Sequence, residues 1–261
     1  HELPWENRPQ GANPNGAGTG PINLPSFGGT GATSSGLVVD GVTYANDITG
    51  AGYVHNNANS GATVVTTTLA GKINTSGPFI FRAGTGIAYN FAGNGTTSVL
   101  SGVIGSTTSM VNGAVATGSI IKSGTGKLTL GGANIYTGTT TVNGGELVIS
   151  NWGASTLGAV TVGNTTATAT LSISGGTLSL GGNSMFVGAG TGLAVGIVNQ
   201  TSGSVSFTSG NALLLGNGSG TNSGTYNLSG GTLTSFASTA RGVMIGVNST
   251  TTGSRPDRQG T

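Results

Sequence analysis

Acid–base or metal chemistry in this chain would have to come from six carboxylates and two histidines: Glu2, Glu6, Asp40, Asp47, Glu146, Asp257, His1 and His55. β-Helical lyases and hydrolases need clustered carboxylates, either as acid and base or as Ca²⁺ ligands beside a basic residue. Glu2 and Glu6 fall in a proline-rich N-terminal segment and Asp257 in a polar tail. Asp40 and Asp47 stand seven apart around VVDGVTYAND and could face each other across a bend. Two turn-forming aspartates would give the same pattern. His1 and His55 would suit a copper brace, but such a site needs a β-sandwich with a flat aromatic face. With one internal histidine, no Ser/His/Asp set can be assembled. The glycine runs Gly188–Gly192 and Gly216–Gly220 open no helix and lead to no Gly-Lys-Ser/Thr, so they read as turns rather than phosphate loops. The expectation is a protein with no catalytic residue, no metal and no cofactor, which is to say no enzyme.

The elements that would position such residues are constrained by composition. The 261 residues include 52 glycines, no cysteine and only 5% charged residues, against about 25% in an ordinary soluble domain. Helix-forming filler is missing, so helices are excluded. Charge-driven disorder needs low hydrophobicity and high net charge, and neither is present. Without cysteine there is no disulfide framework or cysteine zinc site. No apolar run reaches the ~20 residues of a membrane helix. The formal net charge of +2 comes from scattered residues, and the densest basic stretch, Arg255–Arg258, is split by Asp257. Nucleic-acid binding needs clustered Lys and Arg and is therefore excluded.

Five of the seven prolines, Pro4, Pro9, Pro14, Pro21 and Pro25, lie in residues 1–28 together with Trp5. Proline lacks an amide donor, so this segment is expected to be an extended arm. Residues 253–261 read as a polar tail, and residues 29–252 as one repetitive body. The repetition is clearest from Ser174, where SGGTLSLGGNSMFVGAG is followed by TSGSVSFTSGNALLLGN from Thr201 and SGGTLTSFASTARGVMIG from Ser229. The starts at Ser174, Thr201 and Ser229 are almost evenly spaced, and each copy carries apolar stretches in the same order. About three short strands per period, each ended by Gly or Asn at a corner, make one coil of a parallel β-solenoid. Alternation then turns Leu178 and Leu180 inward and Thr177 and Ser179 outward. At ~25 residues per coil the chain would wind roughly ten coils into a rod of about 50 Å. An antiparallel sandwich would use the Asn-Gly turns present here, but the regular period favours the solenoid. A flexible linker would not keep its Val, Ile and Leu in register.

One stretch, Ser119–Ser150, carries Lys122, Gly124, Gly126, Leu128, Leu130, Gly132, Asn134, Tyr136, Gly138, Thr140, Val142, Gly145 and Leu147 at fixed spacing. In these positions it resembles the autotransporter-associated β-strand repeat. The resemblance implies a right-handed, single-stranded parallel β-helix, export by a Gram-negative-type bacterium, and secretion or display at the cell surface. It does not imply an enzyme. Nothing in the sequence reads as the strands of a β-barrel translocator. Lys122 and Glu146 stand close to one coil apart along the chain and could pair across adjacent coils. Asn134 and Tyr136 would sit at a corner, the asparagine bonding the backbone turn.

The chain opens at His1 without an initiator Met, as expected if a signal peptide is removed at export. Low charge removes the repulsion that keeps solenoids apart, and solenoid ends are open edges. The arm could cap its own solenoid or be given to a neighbour as an added strand. The expectation is a secreted structural subunit that partners itself, end to end or by arm exchange, in a fibre or surface layer. Two alternatives remain: a monomeric adhesive passenger binding glycans or cell surfaces, and a polysaccharide-active enzyme using Asp40 and Asp47.

Overall fold

The computed structural model describes residues 20–24, 36–39, 43–51, 53–56, 65–75, 79–81, 87–93, 97–100, 104, 118–153, 156–190, 192–207, 213–235 and 242–245. Short runs of alternating apolar and Thr, Ser or Asn residues form strands, because a strand with one buried face needs a period of two. The first three coils hold β1 (Ile22–Leu24), β2 (Gly36–Val39), β3 (Thr43–Tyr44), β4 (Ile48–Gly50), β5 (Tyr53–Asn56), β6 (Val65–Leu69), β7 (Ile73–Thr75), β8 (Phe79–Phe81) and β9 (Ile87–Phe91). The middle three hold β10 (Thr97–Leu100), β11 (Ser119–Lys122), β12 (Lys127–Leu130), β13 (Thr140–Val142), β14 (Gly145–Ile149) and β15 (Val160–Val162). The last three hold β16 (Thr168–Ile173), β17 (Thr177–Ser179), β18 (Met185–Val187), β19 (Val195–Gln200), β20 (Ser204–Phe207), β21 (Leu213–Leu215), β22 (Ser223–Leu228), β23 (Thr232–Ser235) and β24 (Val243–Ile245).

Each strand pairs in parallel with its counterpart one coil away. Two nine-stranded sheets result, β1-β4-β7-β10-β12-β14-β16-β19-β22 and β3-β6-β9-β11-β13-β15-β18-β21-β24. The third face consists of two separate three-stranded sheets, β2-β5-β8 and β17-β20-β23. This is an all-β parallel solenoid of nine described rungs, which at about 4.8 Å per step span about 38 Å. The repeats from Ser174 stack as their sequence order demands: Leu178 lies beside Val205 and Val205 beside Leu233, while Met185 lies beside Leu213.

Three strands per coil holds for rungs one to three and seven to nine, while rungs four to six hold two each among the described residues. In register Ile22 meets Ile48, Leu100 meets Leu130, Leu128 meets Leu147 and Val198 meets Tyr226, so the coil from Leu128 to Leu147 is much the shortest of these. A coil that short has too few residues for three strands and their corners. Its third side is instead held by single backbone bonds: Ile135 N to Ile104 O at 3.0 Å and Gly153 N to Asn134 O at 2.8 Å. At the N-terminal side, β1 lies within the segment 1–28, directly after the exposed Pro21, so the stack begins before residue 29.

The core is a set of vertical columns. One runs Leu128, Leu147, Leu171, Val198, another Val142, Val162, Val187, and every member of both is buried. Leu178 and Leu180 are buried as alternation requires, while Thr177 is exposed.

Candidate functional site

The repeat at 119–150 builds the most polar place in the core. β11 alternates as Ser119 out, Ile120 in, Ile121 out and Lys122 in, and Lys122 is only 2% exposed. Its register neighbours are Phe91 below and Val142 above. The ammonium donates to the carbonyls of Ser123 at 2.6 Å, Gly124 at 3.1 Å and Gly144 at 3.3 Å. An ammonium has three N–H donors, and three carbonyls meet it. Burial pulls its pKa down from 10.5 to about 8, because the charged form is the one that loses hydration. Lys122 therefore staples its own corner to the corner one coil on.

The expected Lys122–Glu146 pair does not form. Glu146 faces outward on β14, directly beside Lys127 of β12, and binds it with Nζ to Oε2 at 3.2 Å. Its other oxygen accepts the Ser172 hydroxyl at 2.7 Å. Lys122 points into the core from β11 of one sheet and Glu146 points outward from β14 of the other, so side-chain phase excludes the pairing that sequence distance permitted.

Asn134 and Tyr136 do lie in the corner segment between β12 and β13, but both are fully buried. Asn134 Oδ1 accepts the Ile104 amide of the preceding rung at 2.9 Å, so it links coils rather than closing its own turn. Tyr136 shares a hydrogen bond with Thr140 Oγ1 at 2.7 Å and packs edge-on against Trp152, centroids 4.9 Å apart. Burial raises the tyrosine's pKa, opposed by the Thr140 bond. Leu128 and Leu130 are buried core members. Gly126 donates its amide to the Gly93 carbonyl at 3.0 Å. Gly124 and Gly145 have φ of +69° and +64°. At Gly145 a β-carbon would lie 2.3 Å from the Gly126 carbonyl oxygen, and at Gly138 2.2 Å from that of Gly118.

Sequence reading missed Gln200. It occupies the column position above Ile173, is fully buried, and donates Nε2 to the carbonyls of Gly203 at 3.1 Å and Thr232 at 3.0 Å. The Tyr226 hydroxyl donates to its Oε1. Its place at an inward position, in phase with Val198, was the available signal.

The residues weighed for catalysis are not brought together among the described residues. Asp47 is exposed, and its Oδ1 accepts the Lys72 amide of the next rung at 2.8 Å, a turn-holding role. Asp40, His1, Trp5, Pro4, Pro9, Pro14 and Pro25 lie outside the described residues, as does the side chain of His55. No three metal-ligating side chains cluster among the described residues. A crevice lined by Leu69, Ser98, Lys122 and Lys127 has room for about one water, far below the ~300 Å³ of a small-molecule pocket.

Parallel rungs, inward alternation and a stapled corner define a parallel β-solenoid. Residues 120–149, from β11 through β14, match the passenger-associated-transport-repeat family. No curated protein and no solved structure matches the chain.

Proposed function

We propose that this chain is a structural β-helix rod, displayed at the surface of a Gram-negative-type cell or secreted from it, that self-associates into a fibre or surface layer. The observation that carries this reading is the passenger-associated repeat built into an uninterrupted stack of nine rungs. The outer faces offer Thr, Ser and Asn ladders in place of a pocket, with Asn227 bonded to Asn199 at 2.9 Å and Thr232 to Ser204 at 3.0 Å. Between Glu146 and Arg241, residues 147–240 contain no Asp, Glu, Lys, Arg or His, so two such surfaces meet without charge repulsion. A fibre needs a contact at each end of the subunit, and the proline-rich segment 1–28 is the expected second one.

Electron microscopy of the purified chain across a wide concentration range tests the reading. Fibres or sheets are expected at high concentration, and single rods at every concentration would sink it. The same ladders also favour a second reading, a monomeric adhesive passenger. That reading expects single rods that bind glycans or cells, with binding unaffected by deletion of residues 1–19, which precede β1.

A further inference from the structure

We propose that the corner where β7, β10 and β12 meet is a binding site for a tetrahedral oxyanion, a phosphate or sulfate group. The site lies on the flank of the rod and does not depend on self-association.

It begins with a break in the backbone ladder. β10 pairs with β12 at all four of its residues, but with β7 only at Val99–Asn74 and Leu100–Thr75. Just ahead of those pairs the Ile73 amide donates to the Ser98 hydroxyl oxygen at 3.0 Å. The crevice lined by Ser98, Lys122 and Lys127 lies at this break. Ser98 is 6% exposed, and its own hydroxyl proton has no acceptor among the described residues. A buried donor left without an acceptor costs free energy. The crevice beside it has room for one water-sized atom, and an oxygen there supplies the acceptor.

The side chains at the mouth decide what that oxygen belongs to. Carried back along the strands, the register puts Asp47, Lys72, Thr97, Lys127 and Glu146 in one outward column on consecutive rungs. Lys72 and Thr97 are exposed and the Lys127 side chain is 46% exposed, so the mouth lies at the surface. Lys72 and Lys127 stand two rungs apart, about 10 Å, a gap that their four-carbon stems close from both sides. Both carboxylates of the column lie at its ends and are engaged. Asp47 accepts the Lys72 amide, and Glu146 holds Lys127 and Ser172. The Lys72 ammonium has no partner among the described residues. The Lys122 ammonium spends its hydrogens on three carbonyls, so it adds positive field rather than a bond.

A tetrahedral group suits this arrangement. One oxygen enters the crevice and accepts the Ser98 proton, while the others reach Lys72 and Lys127 as charge-assisted acceptors. A planar carboxylate with one oxygen in the crevice has a single oxygen left for two lysines.

The test is a titration of the full chain with inorganic phosphate and with inorganic sulfate at constant ionic strength, followed by the amide NMR shifts of Thr97 and Ser98. Ser98→Ala removes the donor, Lys72→Gln removes an exposed charge without touching the core, and Arg241→Gln removes an equal charge elsewhere. Saturable shifts are expected, weakened at least fivefold by Lys72→Gln and by Ser98→Ala and unchanged by Arg241→Gln. Dextran sulfate that binds more tightly per sulfate than the free ion, with neutral dextran inert, assigns the site to a group carried on a polysaccharide. Equal affinity assigns it to the free ion. No saturable shift, as for a crevice that holds a water only, overturns the site. Equal weakening by Lys72→Gln and Arg241→Gln also overturns it, because net charge alone then explains the binding.

Discussion

The Lys122 ammonium lies 3.3 Å from the carbonyl oxygen of Gly144, at the corner one coil ahead of its own. A cation inside an otherwise apolar column is tolerated because three backbone carbonyls replace its water. Lys122→Ala removes both the packed stem and the cation, leaving a cavity and three unpaired carbonyls. It is expected to destabilise the protein by about 3–5 kcal/mol. Lys122→Met keeps most of the volume and loses only the hydrogen bonds, for about 1–3 kcal/mol. Chemical denaturation of the three proteins measures both.

The same lysine gives stability a particular dependence on pH. Its folded pKa of about 8 lies below the 10.5 of the unfolded chain, so between these values the unfolded state binds more protons. Stability should therefore rise as pH increases from about 8 toward 10. Burial pushes the Tyr136 and Tyr226 hydroxyls above their ordinary value of 10, so above that pH the unfolded chain ionises first and stability falls. Denaturation midpoints between pH 7 and 11 should pass through a maximum. In Lys122→Met the rising limb should vanish while the falling limb stays; a persistent rise would assign it to another group.

Lys127 and Glu146 form the exposed counterpart, a cross-rung pair at 3.2 Å. Solvent screens it, so a double-mutant cycle with Lys127→Gln and Glu146→Gln should return a coupling of about 0–1 kcal/mol that shrinks with added salt. A coupling of several kcal/mol, or one indifferent to salt, would contradict the exposed geometry.

Gly138 and Gly145 are sites where coils touch backbone to backbone. A methyl group at Gly138 meets the Gly118 carbonyl oxygen at 2.2 Å, and at Gly145 it meets that of Gly126 at 2.3 Å on a backbone with φ of +64°. Gly138→Ala or Gly145→Ala should force adjacent coils apart and cost more than about 2 kcal/mol. Thermal unfolding should show losses of several degrees, and the exposed, open Gly20 provides the comparison in which alanine does little.

Much of the fold was legible in the sequence because a solenoid repeats its constraints. The stretches TLSL, SVSF and TLTSF, met at nearly equal intervals along the chain, became β17, β20 and β23 on one face. Leu178 and Leu180 turned inward as their alternation required. The repeat at 119–150 announced its glycine corners, and Gly124 and Gly145 adopt the left-handed backbone such corners use.

Sequence alone therefore determined the period, the parallel stack and the kinds of residue at corners and in columns. Only the tertiary structure decided phase. A period of two says that neighbours alternate, but the pairing of β11 with β9 and β13 puts Lys122 beside Phe91 and Val142, inside. The same rule turned Glu146 outward to Lys127, although its distance along the chain from Lys122 is close to one coil. Coil length was also a tertiary matter: the short step from Leu128 to Leu147 left no room for a third strand. Exposure of Leu228 and Val243 beside the burial of Leu24 and Tyr44 depends on what lies above or below each rung, which a one-dimensional pattern does not encode.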